Sequence, residues 1–298
     1  MGYNMGEISI EEIKDGDIIQ TTVRGENGEE ILAEGTVLKK TYIAALRSLN
    51  VKKIWIVDSN RMQVEEPKTK QDRSLQYTEI WTQKIQEVLE QHIYQGKNSL
   101  RPIEILAETM VREIDNVPKQ YKALDTYSLY QYIVWVTVYC IRMAKREKMS
   151  EKQCKEVAIG ALLHDIGLRY ITVEWHNRDL DTMTLDEDLM YKQHTLLGYT
   201  ALEQEKWVSQ TVKNMVLFHH ERLNGSGFPL HQKRFELACR IIQVVDYYGT
   251  HAAGIGCMPE EEDKILIDMK EMAPECLDEK LVRDFIEQIN LCLPNHKA

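Results

Sequence analysis

The chain has 298 residues, 43% hydrophobic and 28% charged, a composition that allows a large apolar core and excludes a disordered or collagen-like chain. Its formal net charge of -10 argues against general binding of nucleic-acid polymers, which needs a basic face. The six cysteines are scattered and contain no C-x-x-C pair, which argues for reduced thiols over a disulfide framework or a thiolate zinc site.

Residues 1–58 read as a small α/β, strand-rich unit. "GDIIQTTVR" is strand-like, "GENGEE" is a turn and "ILAEGTVL" is a second extended run. "KTYIAALRSLN" has helical spacing and "VKKIWIVD" reads as a closing strand. Residues 59–74 are polar, carry a proline and lack periodicity, as a linker does. The start of the chain has no basic region followed by an apolar one, so an export signal is not expected and a cytoplasmic location is.

Residues 75–298 are expected to form an all-helical domain. "LQYTEIWTQKIQEVLEQHI", "IEILAETMVREI" and "DTYSLYQYIVWVTVYCIRMAKRE" repeat apolar residues at three- and four-residue steps. Within the third, "YIVWVTVYCI" at 132–141 is the longest apolar run and is too short to cross a bilayer. Ser150 with Gln153 predicts a capping box opening a helix that runs to "ALLH" and is ended by Gly167. Thr184 with Glu187 predicts another, opening one helix through "LDEDLMYKQHTLLGYTALEQE". Further helices are expected near 207–220, 233–250, 260–271 and 278–291.

Several of these apolar helices carry polar groups that need partners. His164 and Asp165 stand in "ALLHDIG", His194 in "KQHTLLG", His219 and His220 in "FHHERLNGSGFP", and Asp246 in "RIIQVVDYYGTH". Burying such a group unpaired costs roughly 2–7 kcal/mol. Divalent cations are natural partners for a mixed imidazole and carboxylate set, with Fe, Mn, Ni, Co or Zn all suited. Two adjacent histidines point about 100° apart on a helix, but at its end both can reach one ion beyond the terminus.

The ordered set "LLHDIG", "QHTLLGYTAL", "HHERLNGSGFP" and "RIIQVVDYYGT" resembles the motifs of the HD-GYP family over about residues 100–290. The resemblance implies an all-helical HD-domain phosphohydrolase fold and a centre of two or three metals. It also implies hydrolysis of cyclic di-GMP in bacterial second-messenger signalling. By position, one metal would take Asp165, His194, His219 and His220. A second would take His164, Asp246 and the bridging Asp165, which would also position the attacking hydroxide. The family's remaining histidine falls at Gln131, a weak or lost ligand, so one or two metals per chain are expected. Tyr127 stands where some members have a glutamate for a third metal, and the arginine-containing segment after Asp246 is missing. Leu168 replaces a phosphate-binding lysine, which leaves Arg169 as the candidate phosphate contact. Gly225, Gly227, Phe228 and Pro229 form the candidate substrate loop.

Two readings of function follow. One is a metal-dependent phosphodiesterase for cyclic di-GMP or a related cyclic dinucleotide. The other is a catalytically impaired domain that binds metal or nucleotide and signals through partners. A phosphohydrolase for another nucleotide is a weaker third. The N-terminal unit is a candidate for contact with a protein partner, and pairing of two chains is a candidate assembly; neither a membrane nor polymeric nucleic acid is expected as a partner.

Overall fold

A computed structural model describes residues 7–57, with breaks at 15–16, 20, 25–29, 34–35, 37 and 50, and residues 70–290, with breaks at 96–99, 118–127 and 180–181; of 70–76 and 91–95 it describes the backbone alone. The chain divides into two compact units, Met1–Pro67 and Lys68–Ala298. The residues expected to form the linker fall largely outside the described ones, and those from Lys70 onward belong to a helix.

The first unit is built from short strands and one helix. Strands β1 (Glu7–Ser9) and β2 (Ile18–Ile19) flank β5 (Lys53–Val57) in an antiparallel sheet, and β3 (Val23–Arg24) pairs with β4 (Glu30–Leu32). The single strand read in "GDIIQTTVR" is thus two, β2 and β3, which pair with different partners. The turn read in "GENGEE" lies mostly outside the described residues. Helix α1 (Lys40–Ser48) contributes Ile43 and Leu46 to a core with Ile10, Ile13, Ile19, Val23, Leu38, Ile54 and Ile56. Alternation explains β5: Ile54 and Ile56 are buried while Trp55, between them, is 38% exposed.

The second unit is a helical bundle of α2 (Lys70–Gln95), α3 (Pro102–Glu113), α4 (Leu129–Arg146), α5 (Glu151–Leu163), α6 (Leu185–Lys192), α7 (His194–Glu203), α8 (Gln210–Phe218), α9 (Leu237–Ala253), α10 (Glu262–Met272) and α11 (Glu279–Asn290). The protein is therefore mainly α, with an all-helical domain preceded by a small strand-bearing one. Helix α4 packs on α2, α5 and α9, while α5 also packs on α3 and α8. This explains the run "YIVWVTVYCI": every residue of it is buried, as expected of a helix apolar on all sides at the centre of a bundle. Among the described residues no helix is long and apolar enough to cross a membrane.

The boxes at Ser150 and Thr184 form as their sequences predict, each with reciprocal bonds to Gln153 and Glu187. Two helix boundaries differ from expectation. Helix α5 ends at Leu163 with His164 as its cap, and Gly167 lies beyond it in a 3-10 helix, Ile166–Tyr170, where it terminates nothing. Its task is close approach: a Cβ there would sit 1.8 Å from the carbonyl oxygen of His194. The segment after Thr184 is two helices, α6 and α7, meeting at Gln193. The amide of Gln193 is shared between the carbonyls of Leu189 and Met190, so the helix tightens one residue before His194.

Candidate metal centre

Four parts of the helical unit bring polar side chains into its interior. The end of α5 supplies His164 and Asp165, the start of α7 supplies His194, the end of α8 supplies His219 and His220, and α9 supplies Asp246. His220 is 9% exposed and the other five 2% or less. Gln243 of α9 donates to the carbonyl of Phe218, fastening α9 to the end of α8 at 3.0 Å. Within this group, donor atoms of Asp165, His194, His219 and His220 all lie within 4.8 Å of one another.

The tautomers follow from the hydrogen bonds. Nδ1 of His164, His194 and His219 lies 2.7, 2.7 and 2.8 Å from the carbonyl oxygens of Ala161, Tyr191 and Val216. A carbonyl only accepts, so each Nδ1 carries the proton and donates it, and each Nε2 faces the cluster. Nε2 of His194 and Nε2 of His219 approach to 3.2 Å, and each lies 3.5 Å from Asp165 Oδ1. On the other side, His164 Nε2 lies 3.2 Å from Asp246 Oδ1 and 3.3 Å from Asp165 Oδ2 without making a hydrogen bond to either. Asp165 Oδ2 and Asp246 Oδ2 are likewise buried without hydrogen-bond partners. Converging lone pairs and orphaned carboxylate oxygens in a buried place fit a divalent cation, and the tethered Nδ1 groups match the way metal-bound histidines are oriented.

Electrostatics agree for His194 and His220, and differ for His164. Burial pushes His194 down to about 4, against the pull of Asp165, so its Nε2 is a bare lone pair at neutral pH. Burial, with repulsion from His219 and His194, also holds His220 well below the ordinary imidazole range. Burial opposes the charged form of His164 as well, but Asp165 and Asp246 together outweigh it and hold the ring above its usual value. Asp165 is kept well below the carboxylate range because His164, His219 and His194 overcome the effect of burial.

The loop after α8 folds back over these histidines. Gly225 has φ +82°, and a Cβ on Gly227 would lie 2.4 Å from the carbonyl oxygen of His220, so both positions exclude side chains. Phe228 stacks on His220 with ring centroids 4.7 Å apart, and the Phe228–Pro229 peptide is cis. Glu221, fully buried, anchors the return by accepting from the Leu230 amide at 2.6 Å.

Two further residues of the expected site, Gln131 as a weak or lost ligand and Arg169 as a phosphate contact, are engaged by close neighbours. The side chain of Gln131 accepts from the Ser128 amide at 3.0 Å, completing a capping box at the start of α4, and does not join the cluster. The cause is local: "SLYQ" places Gln at the third helical position after Ser, which is the capping pattern itself. The guanidinium of Arg169 donates to the Tyr130 hydroxyl, which in turn donates to Glu90 at 3.2 Å. Leu168 is core, at 1% exposure. The position of Tyr127 lies outside the described residues. Sequence reasoning missed Tyr132, whose buried hydroxyl donates to Asp246 Oδ1, and Tyr191, whose ring lies 4.9 Å from that of His194. Both read as ordinary apolar-face residues. Glu221 carried a signal, since it directly follows the histidine pair.

Comparison with known proteins bears on these residues. The HD domain family model matches residues 102–281. A cyclic di-GMP phosphodiesterase of Thermotoga maritima is 31% identical over 144 residues, 46% of this chain and 37% of that protein. A cyclic di-GMP phosphodiesterase of Pseudomonas aeruginosa is 30% identical over 129 residues, 43% of this chain and 31% of that protein. Each match thus spans well under half of the relative. The fold resembles the solved structure of an HDG"Y"P protein from Bdellovibrio bacteriovorus, with TM-score 0.63 and 16% identity over 96% of this chain and 99% of that one. The family match covers more than half of the residues: the chain belongs to the HD domain family.

Proposed function

We propose that the helical unit is a metal-dependent phosphodiesterase acting on cyclic di-GMP or a related cyclic dinucleotide. One observation carries this reading: Asp165 Oδ1 and the Nε2 atoms of His194 and His219 converge to 3.2–3.5 Å of one another in a buried place. The relatives named cyclic di-GMP phosphodiesterases supply the substrate class.

The donor set of imidazoles and carboxylates suits Fe, Mn, Ni, Co or Zn. A divalent cation held there supplies Lewis-acid polarisation of a phosphoryl oxygen and a water acidified to near neutral pH. The chain's own residues do the rest. Asp165 faces His194 and His219 through Oδ1 and His164 through Oδ2, so one carboxylate serves both sides of the centre. Phe228 covers the face of His220 and keeps water from that ligand. Gly225 and Gly227 let the loop lie close enough for Phe228 to do so.

Purified protein loaded with Mn or Fe and incubated with cyclic di-GMP is expected to release the linear dinucleotide or GMP, and the Asp165→Asn variant to release neither. Intact substrate after many hours would count against hydrolysis. A binding module is the second reading, favoured by specific positions: Gln131 is spent on a helix cap, Leu168 is in the core and Arg169 is held by Tyr130. Under that reading the protein retains metal and binds the nucleotide without turnover.

A further inference from the structure

Asp246 is held from a direction that the histidines do not explain. Its Oδ1 accepts from the hydroxyl of Tyr132, a residue 1% exposed at the start of α4 whose ring lies 5.7 Å from that of His164. Its Oδ2 is buried with no hydrogen-bond partner and lies 3.7 Å from His220 Nδ1. A carboxylate fixed by one oxygen cannot rotate freely, so the orientation of the other is set by the first. The neighbouring residue shows how α4 arranges this. One step along the helix turns a side chain by about 100°, so Gln131 points back to Ser128 while Tyr132 points inward.

We infer that Tyr132 is a positioning residue of the metal centre: its hydroxyl holds Asp246 by Oδ1 so that Oδ2, with His164 Nε2 and Asp165 Oδ2, is presented to the cation. Helix α4 thereby contributes to the centre through a carboxylate of α9 and not through a ligand of its own. The inference rests on the metal-centre reading given above and adds to it a residue outside the ligand set.

The test is Mn2+ affinity, measured by competition with a chelator at a temperature where every variant is folded. Tyr132→Phe removes one oxygen and is expected to weaken Mn2+ binding by about 10–100-fold, the usual effect of losing a partner that orients a ligand. Gln131→Ala is expected to lower the melting temperature while leaving the affinity unchanged. In an Asp246→Asn background the Tyr132→Phe change should add nothing, because the tyrosine acts through that carboxylate. If Tyr132→Phe binds Mn2+ as tightly as the wild type, or weakens it equally in the Asp246→Asn background, the positioning role falls while the metal centre stands. A tyrosinate-to-iron absorption band in the ferric protein, lost in Tyr132→Phe, would make Tyr132 a ligand and overturn the inference in another way. Wild-type protein that binds no Mn2+ would remove both.

Discussion

His194 shows how one side chain is prepared. Its Nδ1 proton is given to the Tyr191 carbonyl and burial keeps the ring neutral, with a pKa of about 4. An unfolded chain holds imidazole near ~6.5, so as pH falls the unfolded state takes up the proton first and the folded state is penalised. Metal-free protein is therefore expected to lose thermal stability as pH drops from about 6.5 to about 4, with His220 acting in the same sense. His164 acts oppositely: its raised value contributes stability below about 6.5 that is lost as pH rises through its folded pKa. Melting temperatures recorded against pH in a chelator check this. His194→Gln should shrink the acid-side loss, and an unchanged profile would contradict the assignment. At this scale the sequence was readable where chemistry and position coincide, as for His164, Asp165, His194, His219, His220 and Asp246, which the fold brings together. Gln131, read as a weak or lost ligand, stands where a family position and a capping pattern compete for one side chain, and it is taken by the cap. Tyr132 was invisible because a tyrosine within "YIVWVTVYC" carries the same apolar signal as its neighbours.

The elements matter through how closely they meet. The 3-10 helix and α7 touch main chain to main chain at Gly167, where an added Cβ would also fall 2.8 Å from the Gly198 amide. Backbone cannot yield as a flexible side chain can. Gly167→Ala should thus cost roughly 1–3 kcal/mol or more and displace the start of α7. Because His194 is the first residue of α7, the same variant is expected to lose metal affinity as well as stability. Calorimetric melting together with a metal titration tests both, and a variant with wild-type affinity would show that α7 is not seated by this contact. The boxes at Ser150 and Thr184 were legible because their partners are three residues apart. The break between α6 and α7 was not, since the local apolar periodicity runs through it unchanged.

For the whole molecule, the division of labour follows composition. The net charge of -10 leaves no general attraction for phosphates, so under the proposed function a buried cation would have to reverse the local field for the anionic substrate. The mainly helical architecture was legible from three- and four-residue apolar spacing across residues 75–298. The N-terminal strands were less so, because strands of two or three residues carry too little alternation to set their limits. The proposed activity requires that distant helices converge on one ion. Anomalous X-ray scattering at the absorption edge of the metal that copurifies tests this most directly. A peak within coordinating distance of Asp165, His194, His219 and His220 is the predicted result; a crystal grown with Mn2+ that shows no peak there, or one only elsewhere on the chain, would contradict it.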